Sequence, residues 1–130
     1  MTARGTFEVK LAPKPADEAG DDSPIGRMTI DKQFHGALEA VSKGQMLAAR
    51  TATAGSAGYV AMERVSGTLD GRSGSFLLQH TGVMNRGEAQ LTVTVVPDSG
   101  TDELTGLAGT MKIIVEGKQH SYEFEYTPGN

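Results

Sequence analysis

The segment Tyr59-Val60-Ala61-Met62-Glu63-Arg64-Val65, followed by Asp70-Gly71 and then by Ser75-Phe76-Leu77-Leu78-Gln79-His80, decides the architecture. Each run alternates with a period of two, so successive side chains take opposite faces, as they do in a β-strand. Asp-Gly is a two-residue hairpin signal, because both residues tolerate the positive φ angles of a type I′ turn. Glu63 shares a face with Tyr59, Ala61 and Val65, and His80 shares one with Phe76 and Leu78. Pairing Leu69 with Arg72 across the turn places Glu63 opposite Leu78, one diagonal step from His80.

The same rhythm extends in both directions. In residues 6–11, Phe7, Val9 and Leu11 face one way and Thr6, Glu8 and Lys10 the other. In residues 27–33, Met28 and Ile30 oppose Arg27, Thr29, Asp31 and Gln33, and Phe34 continues the apolar face. Residues 38–49 read as two strand pieces hinged or bulged near Gly44, with a short helix as the competing assignment. Residues 91–96 form a strand rich in valine and threonine, which Pro97-Asp98-Ser99-Gly100 turns. Residues 111–115 and 122–126 complete the set around a turn at Gly117.

No stretch carries a convincing helical stripe. About eight strands joined mostly by short turns make an antiparallel up-and-down meander. At that number such a meander closes into a barrel whose interior holds side chains or one small ligand. The expectation is an all-β single domain over residues 1–130. Residues 12–24 interrupt it as a flexible acidic loop, with three prolines and the acids Asp17, Glu18, Asp21 and Asp22.

Composition narrows the function classes. The 17 glycines exceed the usual share of roughly 7% and serve turns. Aromatics make up 5% and tryptophan is absent, which disfavours a stacking platform for single strands. A net charge of −4 argues against a phosphate backbone, so no nucleic-acid partner is expected. With no cysteine, disulfides, thiolate metal sites and cysteine nucleophiles are excluded. Met1-Thr2-Ala3-Arg4-Gly5 opens no apolar leader and no later run could span a bilayer, so a cytoplasmic protein without a membrane partner is expected.

Several stretches carry a resemblance: Gly26-Arg27-Met28-Thr29-Ile30-Asp31-Lys32, Gly55-Ser56-Ala57-Gly58-Tyr59-Val60-Ala61, Glu63-Arg64-Val65-Ser66-Gly67-Thr68-Leu69, Gly74-Ser75-Phe76-Leu77-Leu78-Gln79-His80, and Pro97-Asp98-Ser99-Gly100-Thr101 with Leu104-Thr105-Gly106-Leu107. Together they resemble an uncharacterised family of small bacterial proteins whose fold is similar to the allene oxide cyclase barrel. The resemblance implies a closed antiparallel barrel of about eight strands. The wider barrel superfamily includes cyclases and isomerases that fold an oily substrate inside, and its members often oligomerise. No catalytic residue of the plant cyclase matches this chain, so that chemistry carries over only as analogy.

Glu63 and His80 are the candidate catalytic pair. On inward faces they would bring a carboxylate and an imidazole into one apolar space, where each shifts the other's pKa toward acid–base work. The structural reading, a buried hydrogen-bonded pair that fixes strand register, ranks ahead of the catalytic one. Were the faces inverted, Arg64 and Gln79 would take that place. Tyr59, Phe76, Leu78, Tyr122 and Tyr126 are the candidate ligand-binding residues, although a tyrosine with its ring in the core and its hydroxyl at the rim is the common arrangement. His35 reads as solvated and His120 as lying near a barrel mouth.

His35, His80 and His120 have no ligand spacing, so no metal is expected, nor any other cofactor. The segment Asp98-Ser99-Gly100-Thr101-Asp102-Glu103 lacks the positions of a calcium loop and reads as a capped turn. The paired glycines precede no helix and cradle no phosphate, and the serines have no nucleophile-elbow context. The first functional reading is a barrel that binds a small, mostly apolar molecule. The alternatives are a cofactor-independent cyclase or isomerase using Glu63 and His80, and a structural barrel acting through self-association. Apolar residues on both faces of residues 59–65 support a homo-oligomer.

Overall fold

Alternation of this kind leaves every strand with two hydrogen-bonding edges, and closing the sheet on itself satisfies them. The computed structural model, which describes residues 1–14 and 24–129, has that form. Eight strands run in sequence order: β1 (Thr2–Lys14), β2 (Ile25–Gly36), β3 (Leu38–Arg50), β4 (Ala57–Leu69), β5 (Arg72–Asn85), β6 (Glu88–Val95), β7 (Ala108–Glu116) and β8 (Gln119–Thr127). All neighbours are antiparallel, and β8 pairs back onto β1 to close the barrel. One short 3₁₀ turn, Asp102–Leu104, lies between β6 and β7. No helix among the described residues is long and apolar enough to cross a membrane.

The hairpin between β4 and β5 has the expected register, with Leu69 opposite Arg72 and Glu63 opposite Leu78. Asp70 (φ 47°) and Gly71 (φ 84°) both take the left-handed conformation that a type I′ turn requires. Two readings are corrected. β3 is one continuous strand with neither bulge nor helix: its pairing steps without a slip from Ala49 to Ala40 against β2 and from Leu38 to Arg50 against β4. The two strands that flank it supply hydrogen bonds to both edges, and that overrides the helical preference of Ala, Leu, Glu and Met.

The second correction concerns the acidic segment. Ala12, Pro13 and Lys14 belong to β1 and pair with Thr29, Met28 and Arg27. β8 pairs only with Thr2 through Phe7, so beyond that point β1 has one neighbour, a place where proline's missing N–H is tolerated. The rest of that proposed loop, residues 15–23, lies outside the described residues. Leu11, expected on the apolar face with Phe7 and Val9, is 46% exposed, because the β1 rim overhangs β8.

One end of the barrel is packed solid. Phe34, Leu38, Leu69, Phe76, Phe124 and Tyr122 are fully buried there, with the Phe76 and Phe124 rings stacked at 5.8 Å. Leu104 and Leu107, from the connection between β6 and β7, join that cluster. The Tyr122 hydroxyl accepts the Leu38 N–H at 2.9 Å and donates to the His35 carbonyl at 2.9 Å, tying β8 to the turn between β2 and β3. Tyr126 donates to the Asp70 carboxylate in the β4–β5 turn. Burial and that carboxylate push its phenol up to about 12. Both tyrosines keep the ring in the core and the hydroxyl at an end of the barrel.

Tyr122→Phe removes these bonds, together with the hydroxyl's 3.2 Å contact to the Leu38 carbonyl, and leaves the Leu38 N–H buried without a partner. Urea unfolding of this variant is expected to show a loss of about 1–3 kcal/mol with strand content unchanged. An unchanged midpoint would mean that the tie contributes nothing.

Candidate functional site

Lys32, Glu63, His80 and Tyr59 form one chain across the middle of the barrel. In β2, alternation puts Lys32 on the same face as Ile30 and Phe34, which are 4% and 0% exposed. In β4 it puts Glu63 beside Ala61 and Val65, and in β5 it puts His80 beside Leu78. All three polar side chains therefore point inward, with side-chain exposures of 6%, 0% and 4% for Lys32, Glu63 and His80. Lys32 Nζ donates to Glu63 Oε2 at 2.9 Å, and His80 Nε2 lies 2.8 Å from the same oxygen. The Tyr59 hydroxyl sits 3.5 Å from His80 Nδ1. Lys32 Nζ also lies over the Phe7 and Phe34 rings, 5.1 and 5.7 Å from their centroids, a favourable place for a cation.

Lys32 and Glu63 stand on strands two apart, roughly 9–10 Å in sheet spacing, with β3 between them. They meet because β3 turns its smallest residues inward at that level. Ser42 pairs with Lys32 and Val65, and Gly44 with Ile30 and Glu63. A Cβ at Gly44 would collide with the Met62 carbonyl oxygen and with Glu63 itself. The glycine that reads from sequence as a hinge is thus the clearance for a buried carboxylate.

Burial pushes the Glu63 carboxyl up. The His80 hydrogen bond and the Lys32 ammonium outweigh that effect, so the group is held below the usual carboxylate range and stays ionised. Burial, then the nearby Glu63 charge, raises the Tyr59 phenol above its ordinary 10.0. Glu63 Oε1 and Ser42 Oγ are buried without a protein hydrogen-bond partner.

Beyond this chain the barrel opens. A cavity of about 390 Å³ lies at the end opposite the packed core, lined by Met28, Met46, Ala48, Tyr59, Met84 and Leu91 among others. Gly82 pairs with Tyr59 across β4 and β5, and a Cβ there would strike the Tyr59 ring. The glycine thus gives the ring its place in the cavity wall. Tyr59 touches both the cavity and the buried chain.

The residues singled out from sequence divide accordingly. Glu63 and His80 face inward in direct contact, but they lie beneath Tyr59 and do not line the cavity. Of the five candidate ligand-binding residues, Tyr59 lines the cavity, whereas Phe76, Leu78, Tyr122 and Tyr126 point inward into the packed end. The inverted-face alternative is corrected: Arg64 and Gln79 are exposed on the outside. His35 is half-exposed and bonded to Glu8 at 2.9 Å, and His120 packs its ring 5.2 Å from Phe7. Lys32 and the cavity methionines were missed. Parity with Ile30 and Phe34 was signal enough to place Lys32 inside, although not to pair it with Glu63.

Because the folded-state pKa of Glu63 is depressed, its stabilisation is complete above the ordinary carboxyl value of 4.5 and is lost as the pH falls through the folded value. Denaturant unfolding between pH 7 and pH 3 is expected to show that loss. Glu63→Gln should remove this part of the pH dependence and cost about 3–5 kcal/mol at pH 7, where it strands the Lys32 ammonium. A variant as stable as the parent at pH 7 would contradict the ion pair's role.

Similarity to known proteins places this geometry in a family. The model of a family described as a protein of unknown function, DUF3224, matches residues 3–126. The crystal structure of a protein of unknown function from the DUF3224 family of Shewanella oneidensis MR-1 has a TM-score of 0.94 and 52% identity, covering 100% of this chain and 98% of that one. No curated protein matches. With a family match over nearly its whole length and a relative more than half identical, the chain belongs to DUF3224, a family of proteins of unknown function.

Proposed function

We propose that this barrel binds a small, mostly apolar molecule in the cavity at its open end, with the molecule's polar group set against Tyr59. The observation that carries the reading is the cavity itself. Its volume of about 390 Å³ lies within the range of roughly 300–1,000 Å³ usual for ligand pockets. Its wall is apolar apart from one phenol and a solvent-exposed rim. Methionines at positions 28, 46 and 84 supply flexible, polarisable surface that adapts to ligand shape. The opposite end of the barrel, filled by aromatic rings and leucines, offers no such space.

A second reading is supported by the hydrogen-bonded chain beneath the cavity. In a cofactor-independent isomerase or cyclase, Glu63 and His80 would act on the substrate through Tyr59, the member of the chain that reaches the cavity. Incorporation of solvent deuterium into a bound ligand would separate this reading from simple binding.

Mass spectrometry under native conditions should recover the protein with a retained apolar molecule, and a neutral solvatochromic dye should titrate to one site. Ala48→Phe, which projects a ring into the cavity, is expected to weaken dye binding at least about tenfold while leaving the unfolding midpoint near that of the parent. Equal dye affinity in parent and variant would place the binding elsewhere and sink the proposal.

A further inference from the structure

We infer that the cavity selects an apolar ligand whose polar group is a hydrogen-bond donor, an alcohol rather than a ketone or an ether, because the chain from Lys32 to Tyr59 runs in one direction only. The inference rests on the binding reading above and adds the chemical class of the ligand.

The direction follows from which atoms hold protons. An ionised carboxylate accepts and cannot donate. His80 Nε2, 2.8 Å from Glu63 Oε2, must therefore carry the hydrogen. Lys32 already balances the Glu63 charge at 2.9 Å, so a second cation at His80 would stand uncompensated in the barrel interior. The imidazole is then neutral and Nδ1 presents a lone pair. The Tyr59 hydroxyl, 3.5 Å away, donates its hydrogen to that lone pair. What Tyr59 offers the cavity is its oxygen, an acceptor.

The remaining interior groups agree. Beyond its bond to Glu63, the Lys32 ammonium faces the Phe7 and Phe34 rings. Glu63 Oε1, the carboxylate oxygen without a protein partner, is also an acceptor. Ser42 Oγ, also buried without a protein partner, can donate as well as accept, but it lies level with Lys32 and does not line the cavity. Around the cavity, Met28, Met46, Met84, Ala48 and Leu91 supply no donor. Arg50 and Gln90 stand at its rim and are exposed, where a hydrogen bond exchanges with water for little net gain. A ketone or ether oxygen placed against Tyr59 would set acceptor against acceptor. An alcohol completes the chain.

The test uses three probes of matched length, 1-decanol, 2-decanone and nonyl methyl ether, displacing a neutral dye from the purified full chain. The expected result is that the alcohol binds about 3- to 10-fold tighter than either acceptor probe, the worth of one neutral hydrogen bond. In Tyr59→Phe that ratio should fall to about one. His80→Leu frees the Tyr59 hydrogen to donate into the cavity, so 2-decanone should gain on the alcohol. Should His80→Leu fail to fold, the Tyr59→Phe ratio still decides. Three probes binding alike to the parent, or an alcohol preference that survives Tyr59→Phe, would overturn the inference and leave the cavity standing. If none of the three binds, the pocket reading falls and takes the inference with it.

Discussion

An ionised carboxylate in the middle of a β-barrel is costly unless its charge and its lone pairs are both answered, and the interior of this protein is arranged around that demand. Lys32 answers the charge from two strands away, and His80 answers a lone pair from the adjoining strand. Ser42 and Gly44 keep the intervening strand low enough for the first of these contacts. Removing one partner of such a buried pair typically costs about 3–5 kcal/mol, whereas replacing the whole set by well-packed apolar residues is often neutral or stabilising. Stability by itself is therefore a weak reason for the trio. Its other consequence is directional: it fixes the His80 tautomer and through it the Tyr59 hydroxyl.

The same layer separates two regions of unlike physics. On one side the barrel is a solid core, in which rings from β2, β5 and β8 interlock and the β6–β7 connection presses Leu104 and Leu107 against them. Tyrosine hydroxyls there are spent on the backbone and on the β4–β5 turn. On the other side, small residues and flexible methionines leave space. The barrel has a filled base, and the cavity lies near its open end. The seam between β6 and β7 shows a single registered pair, Thr94 with Thr110, in contrast to the long ladders joining β2 through β5.

Much of this was legible in the residues. Period-two alternation named the strands, Asp70-Gly71 set the β4–β5 register, and parity placed Glu63 and His80 within diagonal reach. Those inferences involve neighbours joined by a tight turn, where local geometry suffices. The expectation that Tyr122 and Tyr126 would line a ligand space shows where parity stops. It tells which face a residue takes but not which end of the barrel is filled. Gly44 misled for a related reason: a glycine in a strand looks like a hinge until the side chain that needs its room is known.

The amino-acid pattern by itself determined a closed antiparallel meander and which residues of a strand share a face, because a strand's side-chain period is a property of the backbone; which face turns inward was decided by the structure. Tertiary structure alone decided that Lys32 reaches Glu63 across β3, that Tyr59 joins the buried chain to the cavity, and that the cavity lies at one end. The Lys32–Glu63 contact and the cavity depend on distances between strands that are not sequence neighbours, and those distances exist only once the barrel has closed.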